Sequence, residues 1–208
     1  PVITLMPRTL TLDQIAAGDG DTWLTAQATA LEAAIQAGQK VSKREEHAFV
    51  RFGHEMNGNW YPWSITTKGA TPDQYAAQEA SYRAAFRHVH DVFAAAAPDV
   101  DMVWAPSWRS QPQVAYNDPM LWYPGDDYVD WIGITGYNRY PNTWTTPAQL
   151  FDAIRGQAAT SSTALGGDPL ANHVGGSKPV MIAETSSIVQ KYQLQEADFD
   201  VTGTRPKP

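Results

Sequence analysis

Two glutamates stand where acid and base chemistry could be done. Glu55 follows the apolar run Ala48 to Gly53, and Glu184 directly follows Pro179 to Ala183, a run that contains no charge. In parallel α/β barrels the carboxyl ends of the strands converge on one mouth, so a carboxylate there is placed for reaction. A pair of carboxyls in unlike environments can cleave an acetal: one, protonated, gives its proton to the leaving oxygen, while the other, ionised, attacks the anomeric carbon. Spacing alone leaves a second reading open, in which each is a salt-bridge partner at the barrel mouth, for instance Glu55 with Arg51.

The residues around Glu55 favour chemistry. His54-Glu55-Met56-Asn57-Gly58-Asn59-Trp60-Tyr61-Pro62-Trp63 gathers three aromatics and two Asn into a segment that carries Gly and Pro and reads as a loop, where burial is hard to arrange. Sugar rings have apolar faces and hydroxyl edges. Trp and Tyr can cover the faces while Asn and His bond the edges.

The elements that must position these groups are readable from periodicity. Val2 to Met6, Ala48 to Gly53, Val100 to Trp104, Trp131 to Tyr137 and Pro179 to Ala183 are five short runs apolar on both faces, as strands of a covered parallel sheet are. Between them lie helices. Asp21 can cap one from about Thr22 to Ala37 that stops at Gly38, leaving Lys40 to Glu46 as a solvated loop. Thr71-Pro72-Asp73-Gln74 opens a long helix with a capping box and a proline at its first position. There Tyr82, Ala85, Phe86, Val89, Val92, Phe93 and Ala96 share one face, Arg83, Arg87, His90 and Asp91 take the other, and Pro98 ends the run. Thr146-Pro147-Ala148-Gln149 repeats the opening signature before a helix to about Gly156.

Composition narrows the partners. With 208 residues, 43% of them apolar and 18% charged, one α/β domain with a sizeable core is expected. A net charge of −7 repels phosphate backbones and anionic membranes, so neither nucleic acid nor membrane is an expected partner, and no apolar run is long enough for a spanning helix. The absence of Cys removes thiolate chemistry and disulfides. No metal is assigned: His88 and His90 point to different helix faces, and Asp126, Asp127 and Asp130 lack calcium-loop spacing and read as turn residues. Gly166 to Gly176, around His173, lacks the Lys and Ser/Thr of a phosphate loop, and Ser186 and Ser187 lack a GxSxG turn.

Four segments together form a pattern: RFGHEMNGNWYPW (Arg51 to Trp63), WAPSW (Trp104 to Trp108), WYPGDDYVDWIGITGYN (Trp122 to Asn138) and KPVMIAE (Lys178 to Glu184). They resemble glycoside hydrolase family 26, a family of β-mannanases and related endo-glucanases, and LTLDQIAAGDGDTWL (Leu10 to Leu24) resembles its loop and helix after strand three. The resemblance runs from about Val2 to Ser187. It implies a (β/α)8 barrel with the acid/base at the end of strand four, matched by Glu55, and the nucleophile at the end of strand seven, matched by Glu184. Tyr137 matches the tyrosine that hydrogen-bonds the nucleophile, His54 the histidine before the acid/base, and Trp60 an aromatic near the cleaved sugar.

On this footing strands one, two and eight have no counterparts, the strand-eight Trp is missing, and residues 188–208 match poorly. The expectation is a single, incomplete catalytic domain of the barrel type in a chain that opens at Pro1 without an initiator Met. The implied activity is a retaining endo-β-glycanase on β-1,4-mannan or glucomannan, with a mixed-linkage β-1,3-1,4-glucanase and a non-catalytic glycan-binding fragment as the alternatives. Trp60, Trp63, Trp104 and Trp108 would line subsites, and His54, Asn57 and Asn138 would bond hydroxyls. No cofactor is needed, the partner is a poly- or oligosaccharide, and such substrates imply an extracellular location.

Overall fold

In the computed structural model the described residues are 1–138 and 178–187. They form β1 (Val2–Leu5), α1 (Leu12–Ala16), α2 (Asp21–Ser42), β2 (Ala48–Phe52), α3 (Pro72–Ala96), β3 (Val100–Trp104), β4 (Trp131–Asn138) and β5 (Val180–Ser187), with three short 3-10 turns between Ala115 and Tyr128. All five strands are parallel, and their order in the sheet is their order in the chain. A doubly wound sheet reverses its strand order at a switch point, whereas a barrel wall adds each strand beside the last. This is a barrel wall.

The wall is curled. On a flat sheet β2 and β5, three strand spacings apart, would lie about 14 Å from each other. Yet Arg51 of β2 donates directly to Glu184 of β5 and also to Thr4 Oγ1 of β1, at 2.8 Å, so the three side chains meet on the concave face. The convex face carries the main core. Phe52 packs on Tyr82 and Phe86 of α3, with ring centroids 6.3 and 6.2 Å apart, and Val50, Met102, Trp104, Ile132 and Ile134 join the same buried cluster.

Local signals set α3 and α1. Thr71 and Gln74 form a reciprocal capping box, and Thr11 and Gln14 form another at α1. The stripe Tyr82, Ala85, Phe86, Val89 and Phe93 is buried as its period requires. The opposite face is not left to water: Arg83 donates to the carbonyl of Leu121, and Arg87 to that of Pro124 at 2.7 Å.

Two expectations need correction. α2 does not stop at Gly38; it runs to Ser42 and ends with Lys43 in the left-handed conformation, φ 58°. A Cβ at 38 would lie 2.8 Å from Glu46 Oε2, and Gln39 reaches the Glu46 carbonyl and Asp99, both at 3.0 Å, so the glycine permits close packing of the returning chain. The cap is Gly20, and Asp21 is the first helical residue. Second, Glu184 does not follow its strand but lies within β5, opposite Thr135, just past a register shift that skips Ala183. The expected helix from Thr146, the Gly-rich stretch with His173, and residues 188–208 lie outside the described residues.

Candidate active site

The chain leaving β2 is pinned to both neighbours. Gly53 donates its N–H to the Leu5 carbonyl at 3.0 Å, and Glu55 donates to that of Ala105 at 2.7 Å. Between these anchors the backbone turns so sharply that Glu55 adopts φ 54°, a left-handed conformation that costs a non-glycine residue about 1 to 2 kcal/mol. The turn aims a carboxyl that is only 7% exposed at the top of the sheet. Trp60 Nε1 donates to its Oε2 at 2.9 Å, and Thr135 Oγ1 donates to its Oε1 at 2.6 Å. Gly58 makes the first bond possible, because a Cβ there would stand 2.6 Å from the Trp60 ring.

Glu184 has different company. Tyr137 donates its hydroxyl to Oε2 and Arg51 its guanidinium to Oε1. Partial burial alone would raise this carboxyl, but the two hydrogen bonds and the Arg51 charge outweigh it and hold Glu184 below the usual carboxylate value. The same bond, with burial, pushes the Tyr137 hydroxyl up to about 12, so it remains a donor. Arg51 therefore pairs with Glu184 and not with Glu55, which corrects the salt-bridge reading.

Thr135 joins the two carboxyls. Its hydroxyl holds Glu55, and its backbone is the strand partner of Glu184, so both side chains reach the same patch of the concave face. Sequence reasoning missed it, although alternation along β4 already puts residue 135 on the face of Tyr137.

The other candidates separate into two groups. His54 lies beside the pair: its Nε2 is 3.1 Å from the Tyr61 hydroxyl, and burial followed by the charge of Arg51 pushes it down to about 4, which keeps the imidazole neutral. Trp60, 46% exposed, and half-buried Trp108 remain reachable, the latter with the Arg109 guanidinium 4.4 Å above its ring centre. Trp63, Trp104 and Asn57 are not brought to the surface of the site. Trp63 is 1% exposed, stacks on Tyr61 at 4.4 Å and donates to the His54 carbonyl at 2.8 Å. Trp104 is 0% exposed and turned to the convex core, edge-on to Tyr123. Asn57 accepts from Ser107 N at 2.8 Å and donates to Ser107 O and Ser110 Oγ, both at 3.0 Å, so its amide ties loops together. Asn138 closes β4, and its side chain lies outside the described residues. Elsewhere His88 pairs with Asp21 at 2.6 Å and His90 with Asp91 at 3.0 Å. No group of three or more His, Asp or Glu able to hold a metal occurs among the described residues, nor does a helix long and apolar enough to cross a membrane.

Known proteins share this fold. Endoglucanase H of Acetivibrio thermocellus is 28% identical over 187 residues, covering 89% of this chain and 18% of that protein. Among solved structures, the catalytic domain of an endo-beta-1,4-mannanase from Bacillus sp. JAMB-750 aligns over 93% of this chain and 50% of its own, with a TM-score of 0.56 and 19% identity. The YdhT protein from Bacillus subtilis aligns over 91% and 51%, with a TM-score of 0.52 and 17% identity. The chain thus spans under a fifth of the curated relative and about half of each solved one. At these identities the structural likeness establishes the barrel fold, and the match to the family's own sequence pattern extends over residues 11–205. With fold and sequence pattern in agreement, the chain belongs to glycosyl hydrolase family 26.

Proposed function

We propose that this domain hydrolyses β-1,4-linked glycans with retention of anomeric configuration. Glu184 is the nucleophile and Glu55 the acid that later serves as base. One observation carries this reading: two carboxyls on adjoining parts of one concave face have opposite partners. Glu184 is held ionised by Tyr137 and Arg51, as an attacking carboxylate must be. Glu55 has an indole and a hydroxyl as its side-chain hydrogen-bond partners among the described residues, and no cation.

Retention is supported by the nearness of the pair: Glu184 is the strand partner of Thr135, whose hydroxyl bonds Glu55. Retaining pairs stand about 5 to 5.5 Å apart, whereas inverting pairs leave room for a water between them. Trp60 and Trp108 supply faces for sugar rings, and Tyr61 with His54 supplies polar edges. Mannan or glucomannan is the first substrate class, in keeping with the family's mannanases. Mixed-linkage β-glucan is the second, favoured by the name of the curated relative, an endoglucanase. Action on such polymers belongs outside the cell.

The test is release of reducing ends from mannan, glucomannan and mixed-linkage glucan, with the first product followed by proton NMR. Glu184→Ala and Glu55→Ala should each fall to background while the fold is kept, and the first product should carry the β-anomer. Undiminished hydrolysis by Glu184→Ala, or a first product of inverted configuration, would refute the assignment.

A further inference from the structure

We infer that Thr135 decides which oxygen of Glu55 carries the transferable proton, a positioning role that rests on the acid/base reading of Glu55. Thr135 is fully buried, and its backbone is fixed on both sides: its N–H donates to the Pro106 carbonyl at 3.3 Å, and its own carbonyl accepts from Trp108 N at 2.8 Å. The hydroxyl has a single hydrogen and two acceptors in reach. Glu55 Oε1 is at 2.6 Å and the Pro106 carbonyl at 3.4 Å. An O–H···O bond works between about 2.5 and 3.0 Å, and one to a carboxylate is the stronger kind. The hydrogen therefore goes to Oε1.

That choice assigns the other oxygen its task. Protonating Oε1 would weaken this short bond, because the hydroxyl oxygen of a carboxylic acid accepts less well than its carbonyl oxygen, whereas protonating Oε2 weakens only the longer bond from Trp60. Oε2 accepts from Trp60 Nε1 at 2.9 Å; indole only donates, so a lone pair of Oε2 stays open for a proton. Trp60 is 46% exposed whereas Thr135 is fully buried, so of the two oxygens Oε2 has the more open neighbour. In the first half-reaction the Oε2–H bond breaks as a bond from hydrogen to the leaving oxygen forms, and the electron pair stays on the carboxylate. In the second, the attacking water returns a proton to Oε2. Thr135 keeps its hydrogen on Oε1 throughout and need not move. The titratable groups nearby are Arg51 on β2, His54 and Tyr61 in the following loop, Tyr137 on β4 and Glu184 on β5; Thr135 adds no charge to them.

Thr135→Val keeps the shape and removes the hydroxyl, and Thr135→Ala does so by deletion should the valine variant fail to fold. Aryl β-glycosides of mannobiose and cellobiose, with phenol or 2,4-dinitrophenol as leaving group, separate the roles, because only phenol needs the proton. Turnover in Thr135→Val should fall at least about tenfold further with phenol than with 2,4-dinitrophenol, and Thr135→Ser should recover most of it. Equal losses with both leaving groups, or no loss, overturn the proposal. Should the unaltered chain cleave neither glycoside, the function proposed above fails separately, and carbon-13 NMR of the Glu55 carboxyl decides the hold on Oε1. A signal moved in the valine and alanine variants and restored in the serine variant upholds it; one signal shared by all four proteins overturns it.

Discussion

At the scale of single residues, the site is organised by what surrounds each ionisable group. His54 is the sharpest case outside the two glutamates, because burial and Arg51 carry it down from 6.5 to about 4. The unfolded chain therefore binds a proton at pH 5 that the folded chain refuses, and stability falls as pH drops from about 6.5 to 4. Glu79 acts in the opposite sense. Buried in α3 with Oε1 lacking a hydrogen-bond partner, it is raised from 4.5 to about 7, so its contribution is present at low pH and lost as pH rises through about 7. Each is worth up to about 3 kcal/mol over its window, and the two nearly cancel. His54→Phe should uncover Glu79: urea unfolding should give stability rising as pH falls from 7 to 4.5, against a flatter profile for the unaltered chain. Parallel profiles would show that His54 titrates normally. His54 was legible in the sequence as the neighbour of Glu55, but its neutrality was not, since that follows from burial in a ring cage formed by Tyr61 and Trp63 and then from the charge of Arg51.

At the scale of elements, what is governed locally was readable and what is governed by contact was not. The Thr71 and Gln74 capping box needs only residues three apart, and α3 begins where it directs. Gly38 followed the usual rule for a helix end and misled, because Glu46, brought back against α2, decides that position. Trp63 and Trp104 misled for a related reason. An aromatic beside Pro in a loop, or at a strand end, carries no mark of the face it takes, and the convex core claimed both. The loop after β2 offers the direct test. Gly58 leaves room for the Trp60 indole to reach Glu55, and Gly58→Ala would place a methyl 2.6 Å from that ring. Gly58 is itself buried, but the ring the methyl would strike belongs to Trp60, which is 46% exposed and can swing outward, so the expected result is an unfolding free energy within about 1 kcal/mol of the unaltered chain, with glycan turnover reduced at least about tenfold. Unaltered turnover would mean that the indole holds Glu55 in some other way.

At the scale of the whole molecule, Arg51 links strands that the sequence sets 133 positions apart. It is buried in β2, bonds Thr4 on β1 and Glu184 on β5, and so ties the first, second and fifth strands across the concave face. The sheet's strand order and its barrel character were legible from alternating strands and helices and from the family pattern. This closure was not, because pairing Arg51 with the nearer Glu55 satisfied every local consideration. Removing the guanidinium leaves a half-buried carboxylate without its cation, an uncompensated charge that typically costs more than the pair is worth. Arg51→Met should therefore lower stability by about 2 to 4 kcal/mol, while Arg51→Met combined with Glu184→Gln should recover part of the loss, since the stranded charge is gone. Denaturant titration of the four proteins closes the double-mutant cycle. A coupling near zero would mean that the curl is held by the convex core, where α3 packs on Phe52, and that Arg51 holds Glu184 without serving the fold.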